Sequence, residues 1–272
     1  MKYQGRSFII SGGSSGMGLA TAIDIASHGG YPSIFDLNPP PPDSNLAQTY
    51  ASKYLYTSTN VASTPSLQNA IAKTVDWANR IDAPLSGLVC CAAIGSATPI
   101  LPNRKPHDSV QPETYDMTEF DNIIAVNLRG TFDLTRLVIP YISLNTPAGP
   151  DRERGIIVLV SSLSAYEGKA GQAAYAASKG AINSMILPLA RELGPKAGIR
   201  VMGIAPGKFD TNIVSSKPQE GTSGQKGNLY PTRMGRADEF ARLVKDIVEN
   251  AMLNGSVIRL DGSLRLAGSS ET

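Results

Sequence analysis

Seven short runs rich in valine, isoleucine and leucine, separated by helix-like segments, constrain the fold of this chain more than any other feature. The runs are Ser7–Ser11, Tyr31–Asp36, Tyr54–Ser58, Gly87–Cys91, Gly155–Ser161, Arg200–Ala205 and Ser256–Leu260. Runs this short and this apolar are typical of strands buried on both faces of a parallel sheet. Strands that alternate with helices through right-handed crossovers predict an α/β fold, a seven-stranded parallel sheet with helices on both faces.

This architecture is the Rossmann-type, doubly wound sheet, in which ligands bind beyond the carboxyl ends of the strands. A chain of 272 residues can form it as a single domain, so we predict one domain over residues 1–272. Three stretches interrupt the alternation and are interpreted as loop insertions, near residues 38–45, 99–117 and 208–235. Long loops in a compact domain are often binding segments, although surface insertions without a role are about as common.

Composition argues against several kinds of partner. The formal net charge is only +2 and the cations are scattered, so no nucleic-acid surface is expected. No stretch approaches the roughly 18 apolar residues of a membrane span, and Met1–Arg6 does not resemble a signal peptide. The two cysteines, Cys90 and Cys91, point to opposite faces of a predicted strand and fit a reducing compartment. We therefore expect an intracellular protein, with the cytoplasm favoured and mitochondria left open.

Apolar residues at helical spacing predict the helices between the strands. One such face contains Leu67, Ala70, Ile71, Thr74, Val75 and Ala78, and another contains Phe240, Leu243, Val244, Ile247 and Val248. Thr118 stands just before a third helical run and is the expected N-cap, which places Asn127 inside that helix.

A glycine-rich turn follows the first predicted strand and leads directly into a helical run. Its sequence is Ser-Gly-Gly-Ser-Ser-Gly-Met-Gly, and it contains Gly12, Ser15, Gly16, Met17 and Gly18. Glycine suits a turn in which the pyrophosphate of a dinucleotide approaches backbone N–H groups at the positive end of a helix. The alternative is a tight strand-to-helix connection without a ligand, which the position after the first strand makes less favourable.

Asp36 ends the second predicted strand, where a carboxylate can accept hydrogen bonds from the adenosine ribose hydroxyls. The same carboxylate would repel a ribose phosphate, and no Arg or Lys adjoins it, so NAD is favoured over NADP. The alternative is an ordinary surface aspartate that opens the proline-rich loop.

Tyr175 and Lys179 lie four residues apart, which places both side chains on one face of a helix. An ammonium near the phenol stabilises its anion, so we expect Lys179 to lower the pKa of Tyr175. A phenol with a pKa near 10 must lose roughly 3 units to act at neutral pH, about 4 kcal/mol, which one ammonium does not easily supply. The positive charge of an oxidised nicotinamide would supply the rest, so Tyr175 is expected to act only with NAD bound. In isolation the pair would be read as a helix surface pair.

Ser162 lies at the end of the fifth predicted strand, thirteen residues before Tyr175. Its hydroxyl can reach the substrate oxygen that Tyr175 deprotonates, so one site is expected from two strand-to-helix units. Ser161 and Ser164 are competing candidates, and only the thirteen-residue spacing favours Ser162.

As a set, these residues resemble the short-chain dehydrogenase/reductase family across nearly the whole chain. The resemblance rests on the glycine turn, Asp36, Asn127 in Asn-Leu-Arg-Gly, Ser162, Tyr175, Lys179 and Pro206-Gly207. It implies a catalytic tetrad of Asn127, Ser162, Tyr175 and Lys179, in which Asn127 helps to hold a water that relays protons through Lys179.

Within this family the chain is similar to members that oxidise 3-hydroxyacyl-CoA thioesters and hydroxysteroids. By that resemblance the cofactor contacts are the residues of the glycine turn together with Asp36, Asn60, Val61, Cys91, Ala93, Tyr175, Lys179, Phe209 and Thr211. Gln172 is implied to line the substrate site together with Ser162 and Tyr175. Two departures from the family stand out, because Ala93 replaces a usual glycine beside the cofactor ribose and Asn60 replaces a usual aspartate.

The leading hypothesis is an enzyme that interconverts a secondary alcohol and a ketone with NAD, on a 3-hydroxyacyl-CoA or a hydroxysteroid. One alternative is a ketone reductase for a specialised metabolite, which the proline-rich loop and the Cys90-Cys91 pair leave open. Another is a cofactor-bound scaffold with a vestigial site, against which the intact tetrad argues. NAD is the one cofactor assigned, no metal site is predicted, and the family resemblance favours a homotetramer.

Overall fold

A computed structural model describes residues 1–95, 97–101, 114–210 and 230–265 of the chain. Within these ranges, seven parallel strands form one sheet in the order β3-β2-β1-β4-β5-β6-β7. The strands are β1 (Ser7–Ser11), β2 (Tyr31–Asp36), β3 (Leu55–Ser58), β4 (Leu85–Cys90), β5 (Gly155–Val160), β6 (Ile199–Pro206) and β7 (Val257–Leu260). The doubly wound parallel sheet of seven strands is therefore confirmed, and β4 begins two residues earlier than the sequence predicted.

Helices cover both faces of this sheet. They are α1 (Gly16–Ser27), α2 (Asn45–Thr49), α3 (Thr64–Arg80), α4 (Met117–Ile123), α5 (Thr131–Ser143), α6 (Ala173–Ala197) and α7 (Ala237–Glu249). The apolar face predicted near residue 70 is the buried face of α3, and the one near residue 244 is the buried face of α7. None of the described helices is long and apolar enough to cross a membrane.

The predicted cap of the helical run before Asn127 is wrong. Helix α4 is capped by Asp116, whose carboxylate accepts from the backbone N–H of Thr118 at 2.8 Å. An ionised carboxylate at a helix N-terminus is a strong acceptor because it also faces the positive end of the helix dipole. Asn127 lies in a helical segment, as expected, but that segment is a π-helix over Ile124–Gly130, between α4 and α5.

The sheet separates two apolar cores. One lies between the sheet and helices α1 and α7, and Phe8, Ile10, Ile34 and Phe240 are fully buried in it. The other lies beneath α3, α5 and α6. As predicted, adjacent Cys90 and Cys91 face opposite sides, since Cys90 belongs to the second core whereas Cys91 packs against the first. Both thiols are free.

Arg200, at the start of β6, joins the sheet to the end of α7. Its guanidinium pairs with Glu153 at 2.7 Å, and it also donates to carbonyl oxygens at the C-terminus of α7 and in the turn that follows, at Ile247, Val248, Asn250 and Leu253. These carbonyls have no partner within the helix, so the buried cation satisfies them and complements the negative end of the helix dipole. This anchor lies at the amino edge of the sheet, away from the carboxyl ends of the strands.

Candidate active site

A cleft of about 260 Å³ lies at the carboxyl ends of β1, β2 and β4. The strand order reverses between β1 and β4, and a doubly wound sheet forms its ligand crevice at such a reversal. All five predicted residues of the glycine turn line this cleft, namely Gly12, Ser15, Gly16, Met17 and Gly18. Five further predicted cofactor contacts line it as well, namely Asp36, Asn60, Val61, Cys91 and Ala93.

The glycine turn has no space for side chains at two of its positions. Gly12 has a φ of +67°, and a Cβ there would lie 2.8 Å from the backbone nitrogen of Ala92. A Cβ on Gly18 would overlap the carbonyl oxygen of Gly12. The turn therefore packs closely on itself and on the chain after β4, and it presents bare backbone to the cleft at the N-terminus of α1. This is the cradle that a pyrophosphate needs.

Asp36 is oriented toward the cleft by two backbone N–H groups. Its carboxylate accepts from Ser14 N at 3.1 Å and from Asn38 N at 3.3 Å. Ser14 is itself buried, and its hydroxyl donates to the carbonyl of Asn38 at 2.6 Å. The glycine turn and the start of the proline-rich loop thus hold the carboxylate in one position. A fixed anion at the end of β2 fits ribose hydroxyls and opposes a phosphate on the same ribose.

Asn60 lies at the far end of the cleft and makes a local turn. Its Oδ1 accepts from Ala62 N at 2.9 Å, and its backbone N–H donates to Ser66 Oγ at 3.0 Å. One lone pair of Oδ1 is therefore already engaged, so the amide has a single lone pair left for a donor such as an adenine amino group.

The sequence analysis missed six residues that also line the cleft: Phe35, Leu37, Thr59, Ala92, Ile94 and Val126. Five of them are sequence neighbours of a predicted contact, so their position at the ends of β2, β3 and β4 could have identified them. Val126 could not have been identified in this way. It adjoins Asn127 in the sequence, but it lines the cleft because of where the π-helix lies.

Tyr175 and Lys179 share one face of α6, as their spacing predicted. The ammonium of Lys179 lies 5.8 Å from the centre of the Tyr175 ring. Lys179 is only 3% exposed, and its Nζ donates to the carbonyl oxygen of Val160, the last residue of β5, at 2.9 Å. The lysine is thereby held between the catalytic tyrosine candidate and the strand that leads to Ser162.

The pKa values of this pair follow from burial. Burial raises the pKa of Tyr175 above its usual value, and the neighbouring Ser162 opposes this rise. Burial also lowers the pKa of Lys179 to about 8, against an opposing effect from Cys91 and Cys90. The expected fall in the pKa of Tyr175 is therefore not produced by the chain alone, because burial of the phenolate outweighs the opposing hydrogen bond with Ser162.

The three candidate serines have separate roles. Ser162 caps a single 3₁₀ turn over Leu163–Ala165, and its Oγ accepts from Ser164 N at 3.1 Å. Ser161 is buried, and its hydroxyl donates to the carbonyl of Lys179 at 3.0 Å. Ser164 Oγ donates to Gln172 Oε1 at 3.2 Å. Ser162 is the one whose hydroxyl is close enough to affect the pKa of Tyr175.

Asn127 is completely buried, and its side chain joins two parts of the site. Its Oδ1 accepts from Ile94 N at 2.9 Å, and its Nδ2 donates to Ile94 O at 2.9 Å and to Ser178 Oγ at 3.1 Å. The amide therefore connects the chain after β4, which forms one wall of the cleft, to the helix that carries Tyr175 and Lys179.

Gln172 and Phe209, which were predicted to contact the substrate and the cofactor, are not part of the lining of the cleft. Gln172 is the N-cap residue of α6, and its Oε1 accepts from Ser164 and from Lys169 N, which orders the loop before Tyr175. Phe209 is buried against Phe240 and lines a separate cavity of about 200 Å³ rather than the cleft. Thr211 lies outside the described residues. Within those residues, no group of three or more His, Cys, Asp or Glu side chains could hold a metal ion.

The fold and this site together define a class of protein. The family profile described as "short chain dehydrogenase" matches residues 6–221, so the chain belongs to that family. The human protein named 3-hydroxyacyl-CoA dehydrogenase type-2 is 38% identical over 259 residues, which cover 95% of this chain and 94% of that protein. The ipsdienol dehydrogenase of Ips pini is 34% identical over 266 residues, covering 97% and 99%.

A solved structure agrees with these relatives. The crystal structure of 3-hydroxyacyl-CoA dehydrogenase type-2 from Mycobacterium avium superposes with a TM-score of 0.83 at 33% identity, and each chain is covered to 97%. The predicted family and fold are thus confirmed. The protein is an oxidoreductase that interconverts a secondary alcohol and a ketone.

Proposed function

We propose that the chain uses NAD, with Tyr175 as the group that takes the proton from the alcohol or returns it to the ketone. The observation that carries this proposal is the convergence of Tyr175, Lys179 and Ser162 at the edge of the sheet where the glycine turn and Asp36 form the dinucleotide cleft. When bound, the nicotinamide supplies the hydride exchange and, in its oxidised form, a positive charge beside the phenol.

Residues of the chain bind the substrate and exchange its proton. Ser162 and Tyr175 hold the substrate oxygen between two hydroxyl groups, which fixes the carbon that reacts. Lys179 keeps a cation near the phenol at neutral pH, since its pKa of about 8 leaves it mostly protonated there. The raised pKa of Tyr175 keeps the phenol protonated in the free protein, so the tyrosine becomes a base only when a further positive charge arrives.

NAD rather than NADP is the proposed cofactor because Asp36 is held toward the cleft by two backbone N–H groups. A carboxylate in that position repels the phosphate of NADP and accepts from the free ribose hydroxyls of NAD. With Asp36 included, ten of the predicted cofactor contacts line the cleft, whereas Phe209 lines a separate cavity.

A 3-hydroxyacyl-CoA or a hydroxysteroid is the proposed substrate, on the strength of the similarity to the human and mycobacterial proteins. The second candidate is a specialised-metabolite alcohol or ketone, and the similarity to ipsdienol dehydrogenase favours it. These two classes of substrate differ in the length and polarity of the groups attached to the carbon that carries the hydroxyl.

The test is turnover by the purified protein with NAD or NADP and a panel of 3-hydroxyacyl-CoA thioesters, hydroxysteroids and terpene alcohols. We expect NADH formation with at least one class and a preference of about 100-fold or more for NAD in kcat/KM, equivalent to about 2.7 kcal/mol. Tyr175→Phe is expected to lower kcat by about 1000-fold or more, since it removes the group that exchanges the proton.

Tyr31→Phe is the matched control, because that ring packs on Trp77 at the amino end of β2, away from the cleft. It should retain the activity of the unmodified protein. Turnover by Tyr175→Phe at the rate of the Tyr31→Phe control would refute the proposed role of Tyr175. NAD binding without turnover of any alcohol would favour the scaffold alternative.

A further inference from the structure

Ser178 is a fully buried residue of α6 that the reaction described above does not use. Its hydroxyl donates to the carbonyl oxygen of Tyr175 at 2.7 Å and accepts from Asn127 Nδ2 at 3.1 Å. It is thus the direct connection between the backbone of the catalytic tyrosine and the amide of Asn127. One face of α6 carries Tyr175 and Lys179, and Ser178 fixes the same turn of that helix from inside.

The connection continues beyond Asn127 to the wall of the cofactor cleft. Asn127 makes two further hydrogen bonds to Ile94, one to its N–H and one to its carbonyl, both at 2.9 Å. Both N–H bonds of the Asn127 amide are therefore committed, one to Ile94 and one to Ser178. Ile94 lines the cleft. A continuous chain of hydrogen bonds thus runs from the cleft wall through the buried side chains of Asn127 and Ser178 to the backbone of Tyr175.

From this geometry we propose that Ser178 is a positioning residue, which sets the placement of Tyr175 relative to the cofactor cleft by bonding both Tyr175 and Asn127. The inference rests on the proposed role of Tyr175. It assigns to the serine no contact with substrate or cofactor. Its effect is geometric: the turn of α6 that carries Tyr175 is held at a fixed distance from the π-helix that carries Asn127.

Removal of the hydroxyl has two consequences that follow from the contacts. The amide of Asn127 is left with one buried N–H bond that has no acceptor, and such a group tends to move toward another partner. The carbonyl of Tyr175 also loses a donor within the first turn of α6. The tyrosine side chain can then shift by a fraction of an ångström, and small displacements of a reacting group have large effects on rate.

Ser178→Ala is the test, with Ser184→Ala as its matched control. Ser184 lies on the same helix, is exposed, and donates only to the carbonyl of Gly180 four residues earlier, at 3.2 Å. We expect Ser178→Ala to lower kcat about tenfold, or about 1.4 kcal/mol, with KM for the alcohol and the Kd for NAD changed less than about twofold. The acid limb of the pH profile of kcat should also move upward, because Tyr175 moves away from the cations that lower its pKa.

Ser178→Thr retains a hydroxyl and is the rescue variant, in which kcat and the pH profile should return toward those of the unmodified protein. Thermal and denaturant unfolding of each variant separates loss of fold from loss of positioning. If a folded Ser178→Ala protein matches Ser184→Ala in kcat and in pH profile, the proposal is overturned. Absence of turnover in the unmodified protein would instead count against the proposed function.

Discussion

At the scale of single residues, the site depends on how burial changes the pKa values of two neighbouring groups in opposite directions. Burial raises the pKa of Tyr175, and it lowers the pKa of Lys179 to about 8. Each shift disfavours the charged form, so the free protein holds a neutral phenol beside a lysine that loses its proton more easily than usual. We therefore expect the pair to become active only when positive charge is added at the cleft.

Lys179→Met tests the contribution of the lysine. On the proposed mechanism alcohol oxidation needs a deprotonated Tyr175, so its rate rises with pH through the apparent pKa of the tyrosine and falls below that pKa by tenfold per pH unit. Loss of the ammonium should raise that pKa by about 2 units, which lowers oxidation at pH 7 about 100-fold. Ketone reduction needs the protonated phenol and should fall less. The measurement is the pH profile of kcat/KM in both directions.

Lys73→Met is the control for this experiment, since Lys73 is exposed on α3 and far from α6 in the chain. It should leave both pH profiles in place. An acid limb for Lys179→Met that coincides with that of Lys73→Met would show that the ammonium does not tune the tyrosine.

At the scale of elements, the sequence predicted the strands and which strand ends carry the site residues. It did not predict local features such as the π-helix and the cap of α4. Short apolar runs mark buried parallel strands, and the carboxyl ends of β1, β2, β4 and β5 carry the residues predicted there. A spacing of four positions from Tyr175 to Lys179 suffices to place both on one face of α6. These inferences depend on short apolar runs for the strands and on the 3.6-residue period for the helices, and both leave a clear trace in the pattern of apolar residues.

Other features depend on tertiary contacts and left no such trace. The π-helix over Ile124–Gly130 has a different repeat from the α-helices on either side, and its apolar pattern does not distinguish it. Asp116 caps α4 although Thr118 satisfies the same sequence rule. The raised pKa of Tyr175 could not be predicted because it arises from burial in the folded chain rather than from the spacing to Lys179.

The close packing of the glycine turn predicts how a substitution within it affects stability and NAD binding. Gly18→Ala places a methyl group against the carbonyl of Gly12, so we expect it to lower the free energy of unfolding by about 1–3 kcal/mol. We also expect NAD binding to weaken by about tenfold or more, since the same movement shifts the N–H groups of the cradle. Denaturant unfolding and calorimetric titration with NAD measure the two effects.

Gly194→Ala is the matched glycine substitution within a helix interior. A Cβ at Gly194 would have only one neighbour, Asn254 Nδ2 at 3.7 Å, which is ordinary contact. Pro195 follows directly and disfavours a Cβ on the helical residue before it, so alanine there should change the free energy of unfolding by less than about 1 kcal/mol and leave NAD binding unchanged. If Gly18→Ala and Gly194→Ala changed the free energy of unfolding and NAD binding equally, close packing would not restrict the glycine turn.

At the scale of the whole molecule, β7 is the element that suggests association. Among the described residues it lies at the edge of the sheet and pairs only with β6, and all four of its residues are half-buried, whereas β1, β4, β5 and β6 are completely buried. A strand edge with apolar side chains is a common site for contact with another chain. We therefore predict that β7 contributes to an interface of the homotetramer that the family resemblance favours.

Light scattering coupled to size-exclusion chromatography tests the assembly. We expect a mass of four times the 28.7 kDa of one chain, and by mass action a homo-oligomer dissociates on dilution. A series of protein concentrations should therefore show the tetramer at the upper end. A mass of one chain at every concentration would contradict the prediction.

The anchor at Arg200 has a consequence for how such a molecule can change over evolutionary time. Because this cation fastens α7 at the edge of the sheet opposite to the cleft, that attachment does not rely on the loops around the reactive groups. Insertions and exchanges in those loops can alter which alcohol enters while the scaffold beneath them persists. The same separation makes the chain a suitable host for grafted loops in enzyme engineering.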